Sequence, residues 1–175
     1  MIEIRKANQD DIEHVVKIYD KIHDFEESGK VVIGWERGVY PTIDTAKLGV
    51  KNGDLYVMTD GGEIVASCRI NKEQVFEYKF AKWEHEASEG EVMVLHTLTV
   101  DPDKKGCGYG KKFVEFYENY ALSNGCKYLR IDTNKKNVVA RNMYKKLGYT
   151  EVGIVPCVFN GIKDVGLVCI EKYLG

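Results

Sequence analysis

Apolar and polar side chains alternate from Ile2 to Ala7, with Ile2 and Ile4 on one face, which predicts a short strand. Asn8 stands three residues before Asp11, an acidic capping pair that opens a helix. Ile12, Val15, Val16, Tyr19, Ile22 and His23 then recur at three- and four-residue steps, an amphipathic stripe that ends near Ser28-Gly29. Gly34 to Pro41 reads as a loop, and Thr42 to Val50 as a second, short helix. Two strand-like runs, Asp54 to Thr59 and Glu63 to Ile70, flank Asp60-Gly61-Gly62, a hairpin turn. Asn71 to Gly90 has no period. It mixes charge with Phe76, Tyr78, Phe80 and Trp83 and reads as an extended hairpin arm or a mobile flap.

Val92 to Val100 is the most apolar strand candidate and runs straight into Asp101-Pro102. A helix follows with Phe113, Phe116, Tyr117 and Tyr120 on one stripe, stopped by Asn124-Gly125. Lys127 to Asp132 is a strand. Asn137 caps another helix, with Ala140, Met143, Tyr144 and Leu147 facing inward and Gly148 at its end. Tyr149 to Val155 and Val165 to Tyr173 close the chain as strands about the turn Asn160-Gly161. Neither repeat nor linker interrupts this order, so residues 1–175 read as one domain of the α/β (α+β) class, a mixed sheet with helices packed on it.

Composition narrows the function. Of 175 residues, 25 are Lys or Arg and 27 Asp or Glu, for a formal charge of -2. That balance disfavours a nucleic-acid partner held by phosphate neutralisation, despite the pairs Lys104-Lys105, Lys111-Lys112 and Lys135-Lys136. No apolar window is long enough to span a membrane, and Met1 to Lys6 lacks the apolar core of a signal peptide. Cys68, Cys107, Cys126, Cys157 and Cys169 are odd in number and widely spaced, which predicts reduced thiols and a cytoplasmic protein. His14, His23, His85 and His96 form no ligand pattern with them, so no metal site is expected.

The chemistry concentrates between Leu98 and Lys112. A strand ends, Asp101-Pro102 turns the chain, and Lys105-Gly106-Cys107-Gly108-Tyr109-Gly110 leads into a helix. Glycines allow backbone conformations closed to other residues, and the first amides of a helix have no partner within it. Such a segment can cradle a pyrophosphate, with Lys105, Lys111 and Lys112 adding charge. The spacing fits neither the P-loop nor the dinucleotide fingerprint, and a plain glycine-rich turn is the other reading.

Further on, Asn137-Val138-Val139-Ala140-Arg141-Asn142-Met143-Tyr144 continues to Gly148-Tyr149 as N-x-x-A-x-x-x-Y-x-x-x-G-[FY]. With the strand ending Leu98-Thr99-Val100-Asp101-Pro102 and the glycine loop, in this order and spacing, the chain resembles the GNAT acyl-CoA-dependent N-acetyltransferases. Lys105 stands where that family usually has Gln or Arg, which keeps the charge and loses the guanidinium fork. The resemblance implies a mixed, mostly antiparallel sheet of about seven strands with about four helices, splayed at the acetyl-CoA site. Acetyl-CoA, the acetyl donor, would pair with the main chain of Leu98, Thr99 and Val100. Its pyrophosphate would lie on Lys105, Gly106, Cys107, Gly108, Tyr109, Gly110 and Lys111, with Asn137 near the pantetheine.

The same resemblance implies catalytic roles. Tyr144 would protonate the departing thiolate. Leu95-His96-Thr97-Leu98-Thr99-Val100 is similar to the L-H-A-L-A-V strand of arylalkylamine N-acetyltransferases, which points to His96 as base or water relay, although Val94 replaces that family's second His. Glu84, Glu86 and Glu91 are reserve bases, and His85 reads as a solvated surface residue. Trp35, Tyr40 and Trp83 fall in the segments that cover the acceptor in that family, so an amine with an apolar or aromatic part is expected. The expected activity is acetyl transfer to a primary amine of a small molecule, peptide or protein, without metal, membrane or nucleic acid, by a monomer or homodimer. A non-catalytic acyl-CoA-binding or regulatory module is the rival.

Overall fold

The computed structural model describes all residues, Met1–Gly175. Seven strands form one sheet: β1 (Ile2–Lys6), β2 (Leu55–Asp60), β3 (Glu63–Asn71), β4 (Val92–Val100), β5 (Tyr128–Asn134), β6 (Thr150–Phe159) and β7 (Ile162–Tyr173). Four α-helices accompany them: α1 (Ile12–Glu27), α2 (Ile43–Asn52), α3 (Tyr109–Ser123) and α4 (Val138–Lys146). The spatial order is β1-β2-β3-β4-β5-β7-β6. Only β4 and β5 run parallel, so the sheet is mixed and mostly antiparallel, as expected. No helix is long and apolar enough to cross a membrane.

Local chemistry sets the boundaries. Asn8 Oδ1 accepts from Asp10 N–H while the Asp11 carboxylate accepts from Asn8 N–H, so the capping pair read from sequence forms. A bidentate ion pair from Arg5 to Asp11 adds β1 to that corner. Thr42 and Thr45 cap α2 reciprocally, and Gly53, left-handed at φ 69°, ends it. The two last strands are longer than the pattern suggested and meet at Asn160-Gly161.

The pleat distributes the core over both faces. Met93, Leu95, Leu129, Ile131, Val168 and Ile170 meet Phe113, Tyr117 and Tyr144 of α3 and α4. On the opposite face Leu55 and Val57 meet Val15 and Tyr19 of α1. Farther along that face, Val92, Val94, Leu167 and Cys169 pack on Tyr78.

Residues 71–90 are neither a hairpin arm nor a flap. They form an irregular strap with a short 3₁₀ turn at Phe76–Phe80. The strap is ordered by side chains reaching into the fold: Tyr78 is 2% exposed, and Glu84 N–H donates to the buried Glu171 carboxylate at 2.6 Å. These contacts are long-range, which is why no local period announced them.

Candidate active site

The central feature is an extra residue in β4. Ser67 and Arg69 of β3 pair with Thr99 and His96, so two steps on β3 oppose three on β4. This is a β-bulge, and Thr97 carries it at φ 51°, an uncommon conformation for a β-branched residue. Leu95 and Leu98 consequently both pack on the α3/α4 side although they are three positions apart. The Tyr40 hydroxyl, from the loop after α1, hydrogen-bonds to Thr97 Oγ1.

Beyond the bulge β4 leaves its parallel neighbour. Pairing with β5 runs from Val92↔Tyr128 to Leu95↔Ile131 and stops, while the strands continue to Val100 and Asn134. The gap opens a cleft of about 1690 Å³ that reaches both faces of the sheet. On the α3/α4 side it is lined by the glycine loop, Asn137 and Tyr144; on the α1 side by Trp35, Tyr40, Arg69, His96 and Asp132.

The glycine loop fits an anion. Gly106 and Gly108 sit at φ 88° and 75°, and a Cβ on either would meet nothing within 4 Å, so the backbone itself faces open space. Gly108 is the N-cap of α3, and Lys112 N–H is the first to bond back to it. The amides of Tyr109, Gly110 and Lys111 therefore have no main-chain partner and point out of a fifteen-residue helix. Gly110 has another reason to be glycine: its Cβ would stand 3.1 Å from Met143 Sδ of α4. Lys105 lines the cleft unpaired, Lys111 approaches Glu115 at 3.7 Å, and Lys112 lies outside the lining. The turn before the loop is anchored by Lys21 of α1, at 2.8 Å from Asp101 and 2.9 Å from Asp103.

Several predicted contacts are restricted to the main chain. Thr99 Oγ1 is taken up by Ser67, at 2.7 Å from its Oγ, and the Tyr109 hydroxyl donates to Asp60 at 2.8 Å. Leu98 and Val100 pack into the core below the gap. Asn137 Oδ1 accepts from Ala140 N–H at 3.2 Å and caps α4. Tyr144 lies on that helix's inner face, edge-on to Tyr149 at 5.8 Å between ring centres. Burial, with the charges of Cys68 and Asp132 adding to it, holds its phenol well above the ordinary tyrosine pKa. The phenol is therefore protonated at any working pH and available to donate.

His96 is embedded in a polar chain. Arg69 makes a bidentate pair with Asp54 at 2.9 and 2.8 Å, and Asn71 Nδ2 donates to the same carboxylate at 2.7 Å. Asn71 Oδ1 is thereby turned to accept from Glu73 N–H and, at 2.8 Å, from His96 Nε2–H. The neutral tautomer is fixed with the proton on Nε2 and the acceptor lone pair on Nδ1. Burial and then the Arg69 charge push the imidazole down to about 4. His96 is where the sequence placed it, but it is a weak base there.

Asp132 was not singled out from sequence. It follows Ile131, the last β5 residue in register with β4, and Tyr78 of the strap donates to its Oδ2 at 2.7 Å. Burial holds its carboxyl up at about 6. The one available signal was a carboxylate closing the strand beside the glycine-loop strand.

Trp83 corrects the sequence reading. It lies outside the cleft, its Nε1–H donating to Tyr78 O at 2.8 Å and its ring carrying the Arg130 guanidinium at 4.1 Å, so it fixes the strap. Trp35 and Tyr40 do line the cleft, edge-to-face at 6.0 Å. Cys107 is exposed beside the loop without lining the cleft. Glu84, Glu86 and Glu91 also fall outside it, Glu91 capping its turn with Ser88. His85 is at the surface with its side chain part-exposed, stacking on Tyr173 at 5.1 Å and turning a buried Nδ1 toward Glu171 at 3.7 Å. Glu84, His85 and Glu171 bring ligand-type atoms within 4.8 Å of one another, and the Glu171 carboxylate there serves to hold the strap.

Relatives share this architecture. An uncharacterized N-acetyltransferase of Archaeoglobus fulgidus is 27% identical over 144 residues, 82% of this chain and 89% of its own. A second uncharacterized N-acetyltransferase, from Methanocaldococcus jannaschii, is 24% identical, and the aligned part spans 62% of its length. A GNAT-family acetyltransferase structure from Streptococcus agalactiae superposes with TM-score 0.77 at 20% identity, over 98% of this chain and 95% of the other. The model of the acetyltransferase (GNAT) family matches residues 15–149, from within α1 through the glycine loop to the end of the Tyr144 motif. The chain belongs to the GNAT acetyltransferase family.

Proposed function

We propose that this protein is an acetyl-CoA-dependent N-acetyltransferase that moves the acetyl group directly to a primary amine, without a covalent enzyme intermediate. The observation that carries the proposal is the cleft through the sheet. Free helix amides and the Tyr144 phenol lie on one side of it, and an aromatic and acidic wall on the other. Acetyl-CoA supplies an activated thioester. Gly106, Gly108 and the amides of Tyr109 to Lys111 would hold its pyrophosphate, and the main chain of Leu98 to Val100 its pantetheine. Support for that ligand comes from a 16%-identical Salmonella typhimurium neighbour of TM-score 0.69, solved with acetyl-CoA.

The reaction forms a C–N bond to the carbonyl carbon and breaks the C–S bond, leaving its electron pair on sulfur. A main-chain amide at or next to Leu98 would steady negative charge on the carbonyl oxygen, and the Tyr144 hydroxyl would protonate the sulfur. The acceptor is a small-molecule, peptide or protein amine, handled by one domain over residues 1–175 acting as monomer or homodimer. The five cysteines favour work in the reducing cytoplasm.

Calorimetric titration of acetyl-CoA into wild type and Gly108→Glu tests the cradle: micromolar binding is expected in the first and loss in the second. Tyr144→Phe is expected to keep donor affinity while lowering turnover about a hundredfold or more. Unchanged turnover would remove the acid role. Donor binding with no acetyl transfer to any primary amine would favour a non-catalytic acyl-CoA-binding module instead.

A further inference from the structure

Asp132 is an anion without a counter-ion. Neither lysine nor arginine pairs with it, and its one hydrogen bond comes from Tyr78 to Oδ2. Withdrawing a carboxylate from water is costly unless a cation or several donors meet it. This cost is borne at one particular place. His96 and Asp132 are the successors of Leu95 and Ile131, the last β4–β5 pair, so both stand where the sheet opens, on the α1 side. The cation nearest on this wall, Arg69 of β3, is taken up by its bidentate pair with Asp54, and the other elements around the carboxylate present neutral or acidic groups. Tyr40 comes from the first loop, Glu77 and Tyr78 from the strap, Tyr144 from α4, Cys169 from β7 and Cys157 from β6, with neutral His96 on β4. Its charge reaches Tyr40 on the aromatic wall and Tyr144 across the gap.

A cationic group entering from the α1 side would pass Trp35 and Tyr40 and meet Asp132, across the gap from Tyr144. The geometry points to Asp132 as the residue that binds the acceptor's primary ammonium and removes its proton, with Tyr78 holding the carboxylate in place. The inference rests on the N-acetyltransferase reading and deepens it: the acceptor is recognised as a cation. Asp132 takes one proton from the ammonium and later releases it to water. The freed nitrogen lone pair forms the C–N bond, the C–S pair goes to sulfur, and sulfur takes the Tyr144 proton. The second N–H proton then restores the Tyr144 hydroxyl. The balance is one ammonium and one thioester in, one amide, one thiol and one proton out.

The carboxyl of Asp132 can be followed by ¹³C NMR titration without turnover. Benzylammonium is expected to lower its midpoint from about 6, while benzyl alcohol leaves it in place. In thiol-release assays with benzylamine, Asp132→Asn is expected to lose about a hundredfold or more in kcat/KM with its acetyl-CoA affinity unchanged. Tyr78→Phe, which removes the bond that favours the ionised form, is expected to move the acid limb of kcat/KM to higher pH, and His96→Gln to leave that limb's midpoint where it is. A midpoint that ignores benzylammonium, or an active Asp132→Asn with its acid limb intact, overturns the assignment. Failure of acetyl-CoA to bind would overturn the acetyltransferase reading alone, because the NMR titration is read without the donor.

Discussion

Between about pH 4 and 6 the proton inventories of His96 and Asp132 oppose each other. The folded imidazole titrates near 4 against an ordinary 6.5, so the unfolded chain binds more protons between these values and His96 makes stability rise with pH. The folded carboxyl titrates near 6 against 3.8, so the native state binds more protons and Asp132 makes stability fall as pH rises. Each displacement is worth about 3 kcal/mol. Asp132→Asn, which keeps an acceptor for Tyr78, is expected to gain stability over wild type progressively from pH 4 to 6 and to hold that gain above. His96→Gln is expected to gain in the reverse direction, as pH falls from 6.5 to 4. Urea midpoints across the range decide it: variant curves parallel to wild type would mean that neither ionisation is displaced. The two residues also mark what sequence can disclose. Tyr144 and His96 stand in motifs with fixed spacing, so both were legible. Asp132 matters because β5 lies beside β4 and parts from it after Ile131, and nothing local in Ile131-Asp132-Thr133 carries that. Trp83 was misread for the complementary reason: aromatic content placed it near an acceptor, while Tyr78 and Arg130, distant in sequence, claim its ring and its N–H.

At the scale of elements, the glycine loop shows how one motif can hide two requirements. Spacing alone treats Gly106, Gly108 and Gly110 alike. In the fold the first two are left-handed and face open space, whereas Gly110 is inside α3 with ordinary dihedrals and clears Met143. Gly108→Ala is therefore expected to cost about 1 kcal/mol through the positive φ, besides placing a methyl where the anion would sit. Gly110→Ala is expected to be neutral or stabilising, since the thioether tip can yield and alanine gains about 1 kcal/mol in helix propensity. Thermal or urea unfolding of the two variants checks the order, and a larger loss at Gly110 would contradict it. Helices and hairpins were legible because caps, turns and periods are local, as at Asn8, Thr42 and Gly61-Gly62. The bulge was not: Val92 to Val100 reads as one apolar strand, the polar pair His96-Thr97 interrupts its alternation without saying why, and the pairing of Arg69 with His96 reveals the additional residue. The strap failed for want of any period, its order being supplied by Tyr78, Trp83 and Glu84 acting over long range.

For the whole molecule, the proposed chemistry depends on a defect in the sheet kept open by its surroundings. The bulge turns β4 away, Tyr40 fastens Thr97 to the first loop, and α1 fastens that loop through Glu26, whose carboxylate accepts from Ile33 and Gly34 N–H at 2.7 and 2.9 Å. Tyr78 fastens the other wall through Asp132. In the proposed reaction the two faces of the sheet have separate tasks, donor on the α3/α4 side and acceptor on the α1 side, meeting where β4 and β5 are unpaired. The mixed sheet was legible from the order of periods, and its opening from the resemblance carried by two motifs. The division between faces was not, because it needs the strand order and the phase of each pleat. Unpaired edges exchange amide hydrogens readily, whereas interior ladders are protected. Amides facing the gap in residues 97–100 and 132–134 are expected to exchange faster than those of Val92–Leu95 and Tyr128–Ile131 in the free protein. Acetyl-CoA should slow exchange at 97–100 and at the α3 start, Tyr109–Lys111, while leaving β1 and β2 unaffected. Protection that instead spread evenly over the sheet would indicate global stabilisation by the donor and no seat in the gap. Protection confined to the helix start would leave the pyrophosphate cradle standing and remove the strand-like seat for the pantetheine.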